Sequence, residues 1–230
     1  MRKTGIYLIG LCLPFTACDS GDIYPEKELD VGKQVEISWH FENTDAFPRS
    51  EYYQMVFASF QEGGEYPLSY KNIADESDES LVLSNIPDDA DLVSVSLLDK
   101  GRKLIYHFFT YPLTGTGDEE LVKIPLQTIA LADYGRVQEQ LFTAKCIACH
   151  GGSNFTAANL NLTADNSFDN LVGVQAQCSS QNRVTSGNAS KSFILDVLLD
   201  RELLSTDHTE MVKDDDINLL RSWINNGCHK

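Results

Sequence analysis

The residues best suited to chemistry stand together in one short stretch, Cys146-Ile147-Ala148-Cys149-His150, followed by Gly151 and Gly152. Two thiols one local turn apart, with an imidazole directly after the second, suit three chemistries. The thiols can add to the two vinyl groups on one edge of a porphyrin, which brings His150 to the iron as proximal ligand. They can form half of a structural zinc site, or they can cycle as a redox dithiol. Zinc requires four protein ligands, and no second Cys-x-x-Cys or His-x-x-x-His completes a set; before Cys228-His229 the place of a first cysteine is held by Asn225. A redox dithiol belongs at a strand–helix junction of a βαβ unit, whereas a helical pattern precedes this motif. The pattern favours one haem c, held covalently by Cys146 and Cys149 with His150 on the iron. The zinc and dithiol readings remain the alternatives.

The elements around the motif read as helices. In "DYGRVQEQLFTAKC", Tyr134, Val137, Leu141 and Phe142 recur at helical spacing. "SKSFILDVLLD" places Phe193, Ile194, Val197 and Leu198 on a helix, with Ser190 as N-cap. "DDDINLLRSWINNGC" is the clearest helix, with Asp214 to Asp216 at its positive end and Ile217, Leu220, Trp223 and Ile224 on one face. Between them the chain is rich in Asn, Ser, Thr and Gly. An all-α domain over 130–230 built this way has a thin core, which a flat apolar macrocycle would complete.

Residues 34–129 read as strands. "QVEISWHF" alternates Val35, Ile37, Trp39 and Phe41 with polar residues, and "DLVSVSLLD" alternates Val93, Val95 and Leu97. "DKGR" predicts a tight turn with Gly101 at positive φ. Several short strands spaced by Asp, Gly, Pro and Asn suggest an all-β, immunoglobulin-like sandwich. His40 and His107 fall within strand patterns and are expected to be structural or simply exposed. The predicted architecture is therefore multidomain, a β-sandwich followed by a separate all-α domain.

The amino terminus addresses location. Arg2 and Lys3, an apolar run from Ile6 to Phe15, and Thr16-Ala17 before Cys18 form a signal sequence over 1–17, shorter than the ~20 residues of a membrane span. Leu13 to Cys18 resembles a bacterial lipoprotein box, which implies lipidation of Cys18 and attachment to the membrane. Residues 18–33 read as an acidic tether, similar to a surface-export signal. The expected location is the outer membrane, on its periplasmic face or the cell surface. In that oxidising setting the remaining cysteines, Cys178 and Cys228, are expected to pair as a disulfide. With 18 Lys and Arg against 34 Asp and Glu, the net charge is −16 at pH 7. A nucleic-acid partner is excluded, since neutralising phosphates needs a basic face.

With these residues stated, residues 133–230 resemble monohaem cytochrome c domains of the short planctomycete type. The resemblance rests on "CIACHGG", "NLNLT", "NLVGV", "RVTSGNASKSFIL" and "DDDINLLRSWINNG". It implies a cytochrome c fold in which the first and last helices cross, so that Leu141 and Phe142 meet Leu220 and Trp223. It implies Met211 as distal iron ligand, with His208 as rival and Val212 where the family carries proline. Arg183, Thr185 and Ser186 are expected at the haem propionates. The function implied is a lipid-anchored electron carrier serving redox partner proteins of the cell envelope, and no catalysis. The alternatives are a surface lipoprotein whose sandwich binds a glycan or protein, and a small-ligand haem sensor. A dihaem peroxidase would need a second attachment motif.

Overall fold

The alternation read in the first strand has a direct physical outcome. In β1 (Lys33–Glu42) the side chains of Val35, Ile37, Trp39 and Phe41 are buried, and those between them face outward. The computed structural model describes residues 32–114, 121–152 and 157–230; the signal sequence and Cys18 lie outside the described residues. Six further strands follow: β2 (Tyr53–Phe60), β3 (Ser69–Asn72), β4 (Ser80–Ile86), β5 (Leu92–Asp99), β6 (Leu104–Pro112) and β7 (Leu121–Ala130). They form two sheets, ordered β4-β1-β7 and β3-β2-β5-β6. β7 returns parallel to β1, with a register shift opposite Ile37 to Trp39 that accommodates Pro125. Proline cannot donate to a ladder, so an edge strand with an irregularity is where it fits. In the turn after β5 the left-handed residue is Arg102, φ 65°, rather than Gly101; the Asp99 carboxylate accepts from the Lys103 N–H at 2.8 Å and fixes the turn.

Past Ala130 the chain becomes helical. Asp133 caps α1 (Tyr134–Arg136) by accepting from the Gly135 N–H at 2.7 Å. The helix widens into a π-helical stretch (Val137–Cys146) and ends in α2 (Ile147–His150). α3 (Ser167–Leu171), α4 (Phe193–Leu199) and α5 (Asp214–Asn225) follow, joined by irregular chain. α5 buries Ile217, Leu219, Leu220, Trp223 and Ile224, an amphipathic face as its periodicity requires.

These helices do not make a domain of their own. The expected all-α, cytochrome c-like domain over 130–230 is corrected by the structure to one β-rich unit, Val31–Lys230, with short helices laid on two sheets. The reason is a core without a break. Trp39, Phe57 and Val95 of the sheets and Leu141, Phe142, Leu220 and Trp223 of the helices belong to one buried cluster, bridged by Leu131 and Ala132.

Polar ties fix the join. The Asp215 carboxylate accepts from the backbone N–H groups of Arg49 and Ser50, both at 3.0 Å. Asp216, fully buried, accepts from Tyr53 Oη at 2.8 Å, Gln140 Nε2 at 2.9 Å and the Lys213 N–H at 2.7 Å, and it pairs with Lys145. Arg136, also fully buried, donates to the carbonyls of Ala46 at 2.8 Å and Leu131 at 2.7 Å and to Gln140 Oε1 at 2.9 Å. Burial pulls its pKa down to about 10, and the charges of Asp215 and Asp216 oppose that shift.

Of the strand histidines, His40 is exposed and pairs with Asp78 at 2.8 Å. His107 is half-buried, with Ser94 Oγ at 2.8 Å and Ser96 Oγ at 2.9 Å from its Nδ1 and the Phe60 ring edge-on at 5.0 Å. Burial holds its pKa below the ordinary value, because the charged imidazolium is the form that loses hydration. The unfolded chain therefore binds the proton more readily. His107's contribution to stability is complete above about pH 6.5 and is lost as the pH falls below it. Urea midpoints measured from about pH 7 down to pH 5 should fall more steeply in the native protein than in His107→Gln. His40, raised by Asp78, acts with the opposite sign, so the difference between the two proteins isolates His107.

Candidate functional site

Cys146 closes the π-helical stretch, where the Ile147 N–H reaches back five residues to Phe142 O. Such wide helical turns are rare and concentrate at functional sites. Cys149 and His150 follow in α2. Immediately beyond, the chain folds back so tightly that a Cβ at Gly151 would lie 2.6 Å from Ile147 Cβ and 2.7 Å from Ile147 O. Glycine is required there by close approach. The return brings the Leu162 N–H to His150 O at 2.6 Å.

All four described cysteines are free thiols. Cys149 is exposed, whereas Cys146 is half-buried with Sγ 3.5 Å from Leu141 O. Burial pushes the Cys146 thiol up to about 11, and the neighbouring Lys145 only partly offsets this. A thiol protonated at neutral pH is a poor exchange nucleophile. The redox-dithiol alternative is therefore disfavoured at this site.

His150 is oriented by its own surroundings. Its Nδ1 donates to Ala157 O at 3.0 Å, and the Leu160 backbone carbonyl also acts on the ring; the first bond fixes the tautomer and the ring's orientation. Burial lowers its pKa, and the nearby His208 and Arg183 add to that effect. Ala157 opens a turn (Ala157–Asn159) whose Ala158 sits at φ 56° and Asn159 at φ 48°. A left-handed alanine persists only where its surroundings over-determine it. Here Arg183 supplies the constraint, donating to Ala158 O at 3.0 Å, Asn159 O at 3.4 Å and Asn170 O at 2.8 Å. The guanidinium expected at the propionates is instead a clamp on the loop that aims His150. Thr185 and Ser186 are likewise turned to the backbone, at Lys191 O and Gly227 O.

The distal candidates lie in one turn. Met211 ends a 3-10 turn (Thr209–Met211) and is 44% exposed. His208 stands at the head of that turn, its ring 6.4 Å from that of His150, centroid to centroid, with the planes 28° apart. Its Nδ1 also donates to a backbone carbonyl, Thr206 O at 2.8 Å. The structure thus brings His208 to His150.

The expected disulfide is not made. Cys178 is exposed in a turn beside Ser179 and Gln181, whereas Cys228 is buried behind α5 with Sγ 3.9 Å from Ile224 O. A depression of about 440 Å³ lined by Cys178, Phe193, Leu199 and Leu203 contains none of the motif residues and is not part of the site. The sequence pattern missed two supports, the Ala157 carbonyl and the Arg183 clamp. The first is a backbone atom and carries no residue signature. Arg183 was legible as a buried-site arginine but not as a partner of carbonyls.

No family model, no curated protein and no solved structure matches this chain. The resemblance to monohaem cytochrome c domains is thereby overturned. No family match supports it, the fold is mostly β-sheet, and no group of three or more His, Cys, Asp or Glu able to hold a metal ion occurs among the described residues. The loose elements "NLNLT" and "NLVGV" form a turn and the end of the short helix α3 on a β-rich unit.

Proposed function

We propose that the chain holds one haem covalently through Cys146 and Cys149, with His150 on the iron, and carries single electrons between protein partners. One observation supports this above the rest: His150, next to two free thiols, has Nδ1 committed to Ala157 O at 3.0 Å. That bond fixes the ring's tautomer and orientation, as the outer partner of a ligating histidine does. The donor set fits haem better than a metal ion alone, because two thiols three positions apart with an imidazole directly after the second match a porphyrin edge and its iron.

The residues divide the work plainly. Cys146 and Cys149 would hold the group by adding S–H across its two vinyl C=C bonds, each hydrogen passing to the adjacent carbon with nothing leaving. Haem so bound supplies a one-electron couple. Gly151 lets the backbone turn back beneath His150, and Arg183 holds the loop that fixes its ring. The acidic surface, net −16, steers a partner that offers a basic docking face. Lipidation at Cys18 would place the carrier at the outer membrane, which suits a maturation system that attaches haem outside the cytoplasm.

Protein-film voltammetry on the full chain, made in a strain able to mature c-type haem, tests the reading. The expected result is one reversible one-electron wave, with no turnover of added peroxide. Catalytic current with peroxide, or a haem-loaded chain with no reversible wave, contradicts an electron carrier.

A further inference from the structure

We infer that the two thiols of the motif are unequal in the folded chain, Cys149 open to a reactant and Cys146 guarded, with Lys145 as the positioning residue that guards it. The inference concerns the chain with nothing attached to it. It goes beyond the reading above, since it holds for any small reactant that adds to a thiol.

The guard is a matter of helical register. In an α-helix, residues five apart lie about 140° from one another around the axis. In a π turn, closed by bonds between residues five apart, they stand nearly one above the other. The end of the π-helical stretch shows that spacing throughout. The Ile147 N–H donates to Phe142 O, and Cys146 Sγ lies 3.5 Å from Leu141 O. Gln140 and Lys145 bind a single carboxylate, that of Asp216 at the start of α5. Gln140 Nε2 donates to Oδ1 at 2.9 Å, and Lys145 Nζ pairs with Oδ2. An α register would turn these two side chains away from one another. Lys145 is held a second time by Tyr53 of β2, whose Oη accepts from Nζ at 2.8 Å. Asp216 therefore keeps the turn wide from outside the helix.

The register decides what Cys146 meets. In the wide turn its thiol is half-buried against the shared core, whereas Cys149, in α2, is exposed. Relaxation to the commoner α form moves the residues after the turn by one position, about 100° around the axis. That rotation carries the Cys146 thiol out of its packing. With Lys145 released, only Gln140 remains of the two ties from this stretch to Asp216. The folded chain thus offers one thiol at a time: a first bond forms at Cys149, and a second waits on the opening of the turn.

The rate at which N-ethylmaleimide labels each thiol provides the test, on the full chain made without haem-maturation machinery. The reagent takes S–H across its C=C bond and nothing leaves. Labelling is followed at one pH without denaturant, and fragment-ion mass spectrometry separates Cys146 from Cys149. Cys149 should label at least about tenfold faster than Cys146. Lys145→Met should speed Cys146 by at least about tenfold and leave Cys149 unchanged. Lys145→Arg, which keeps a cation within reach of Asp216, should stay near the native ratio. Loss of the ammonium by itself slows the neighbouring thiol, because the cation favours the thiolate. A rise at Cys146 therefore reads access and not charge. Tyr53→Phe removes one of the two partners of Lys145 and no charge; it should speed Cys146 severalfold, and it replaces Lys145→Met should that variant fail to fold. Equal labelling of the two thiols in the native chain overturns the inference. So does a Cys146 rate unchanged in both variants, or a rise shared equally by Cys149, which marks general loosening.

Discussion

Replacing Asp216 by alanine should destabilise the protein by about 3–5 kcal/mol, the range for removing one partner of a buried ion pair. Asp216 is fully buried, and four groups converge on it: Tyr53 Oη, Gln140 Nε2, Lys145 Nζ and the Lys213 N–H. Tyr53 comes from β2, Gln140 and Lys145 from the π-helical stretch that precedes the motif, and Lys213 from the start of α5. Alanine leaves an ammonium only 19% exposed beside Tyr53 with no counter-charge. It also orphans a hydroxyl, an amide and a backbone donor. The two tryptophans report on the sheets and the helices separately, Trp39 in β1 and Trp223 in α5. Urea unfolding followed by each, with the other replaced by phenylalanine, should give a single shared midpoint that falls together in Asp216→Ala. Separate midpoints would mean that the helices and sheets fold independently, against the continuous core.

The second large effect concerns the attachment itself. Cys146→Ser with Cys149→Ser should abolish covalent haem completely, since a hydroxyl does not add to a vinyl group as a thiol does. Each single variant should keep one thioether and release no free haem on acid–acetone extraction, while the double variant releases all that it binds. The substitutions are nearly isosteric, and neither thiol is needed for packing in the way Leu141 or Phe142 is. The double variant should therefore retain the fold of the apoprotein, visible as an unchanged far-ultraviolet circular dichroism spectrum. His150→Ala separates a different contribution: the thioethers form, but the proximal iron ligand is lost.

How far the sequence could be read depends on which forces left a pattern. β1 was legible because one of its faces is buried and the other is not, so Val35, Ile37, Trp39 and Phe41 alternate with polar residues. β2 shows no such alternation. Met55 and Phe57 join the main core while Val56, Ala58 and Phe60 form a second cluster with Leu98, so both faces are covered and the period disappears. The helix α5 was legible from its apolar spacing and acidic start. The acidic start misled on one point. Asp215 and Asp216 read only as charges at the helix's positive end, yet both are buried and bind Arg49, Ser50 and Tyr53 of the strand half. Such pairings across more than a hundred and fifty residues leave no local trace, and missing them turned one unit into two domains. The spacing of Cys146, Cys149 and His150 is a local pattern and so stands in the sequence, whereas their surroundings do not: Ala157 acts through a carbonyl, and His208 reaches His150 only through the folded path of the intervening chain.

The central claim is a pair of carbon–sulfur bonds at Cys146 and Cys149. The direct measurement is the intact mass of the full chain after denaturation, taken with a reduced-minus-oxidised spectrum, on protein matured with c-type haem machinery. The account predicts the polypeptide mass plus one haem, a sharp reduced α-band, and loss of both in the double cysteine variant. A colourless chain at the bare polypeptide mass, or a haem that dissociates on denaturation, would contradict it.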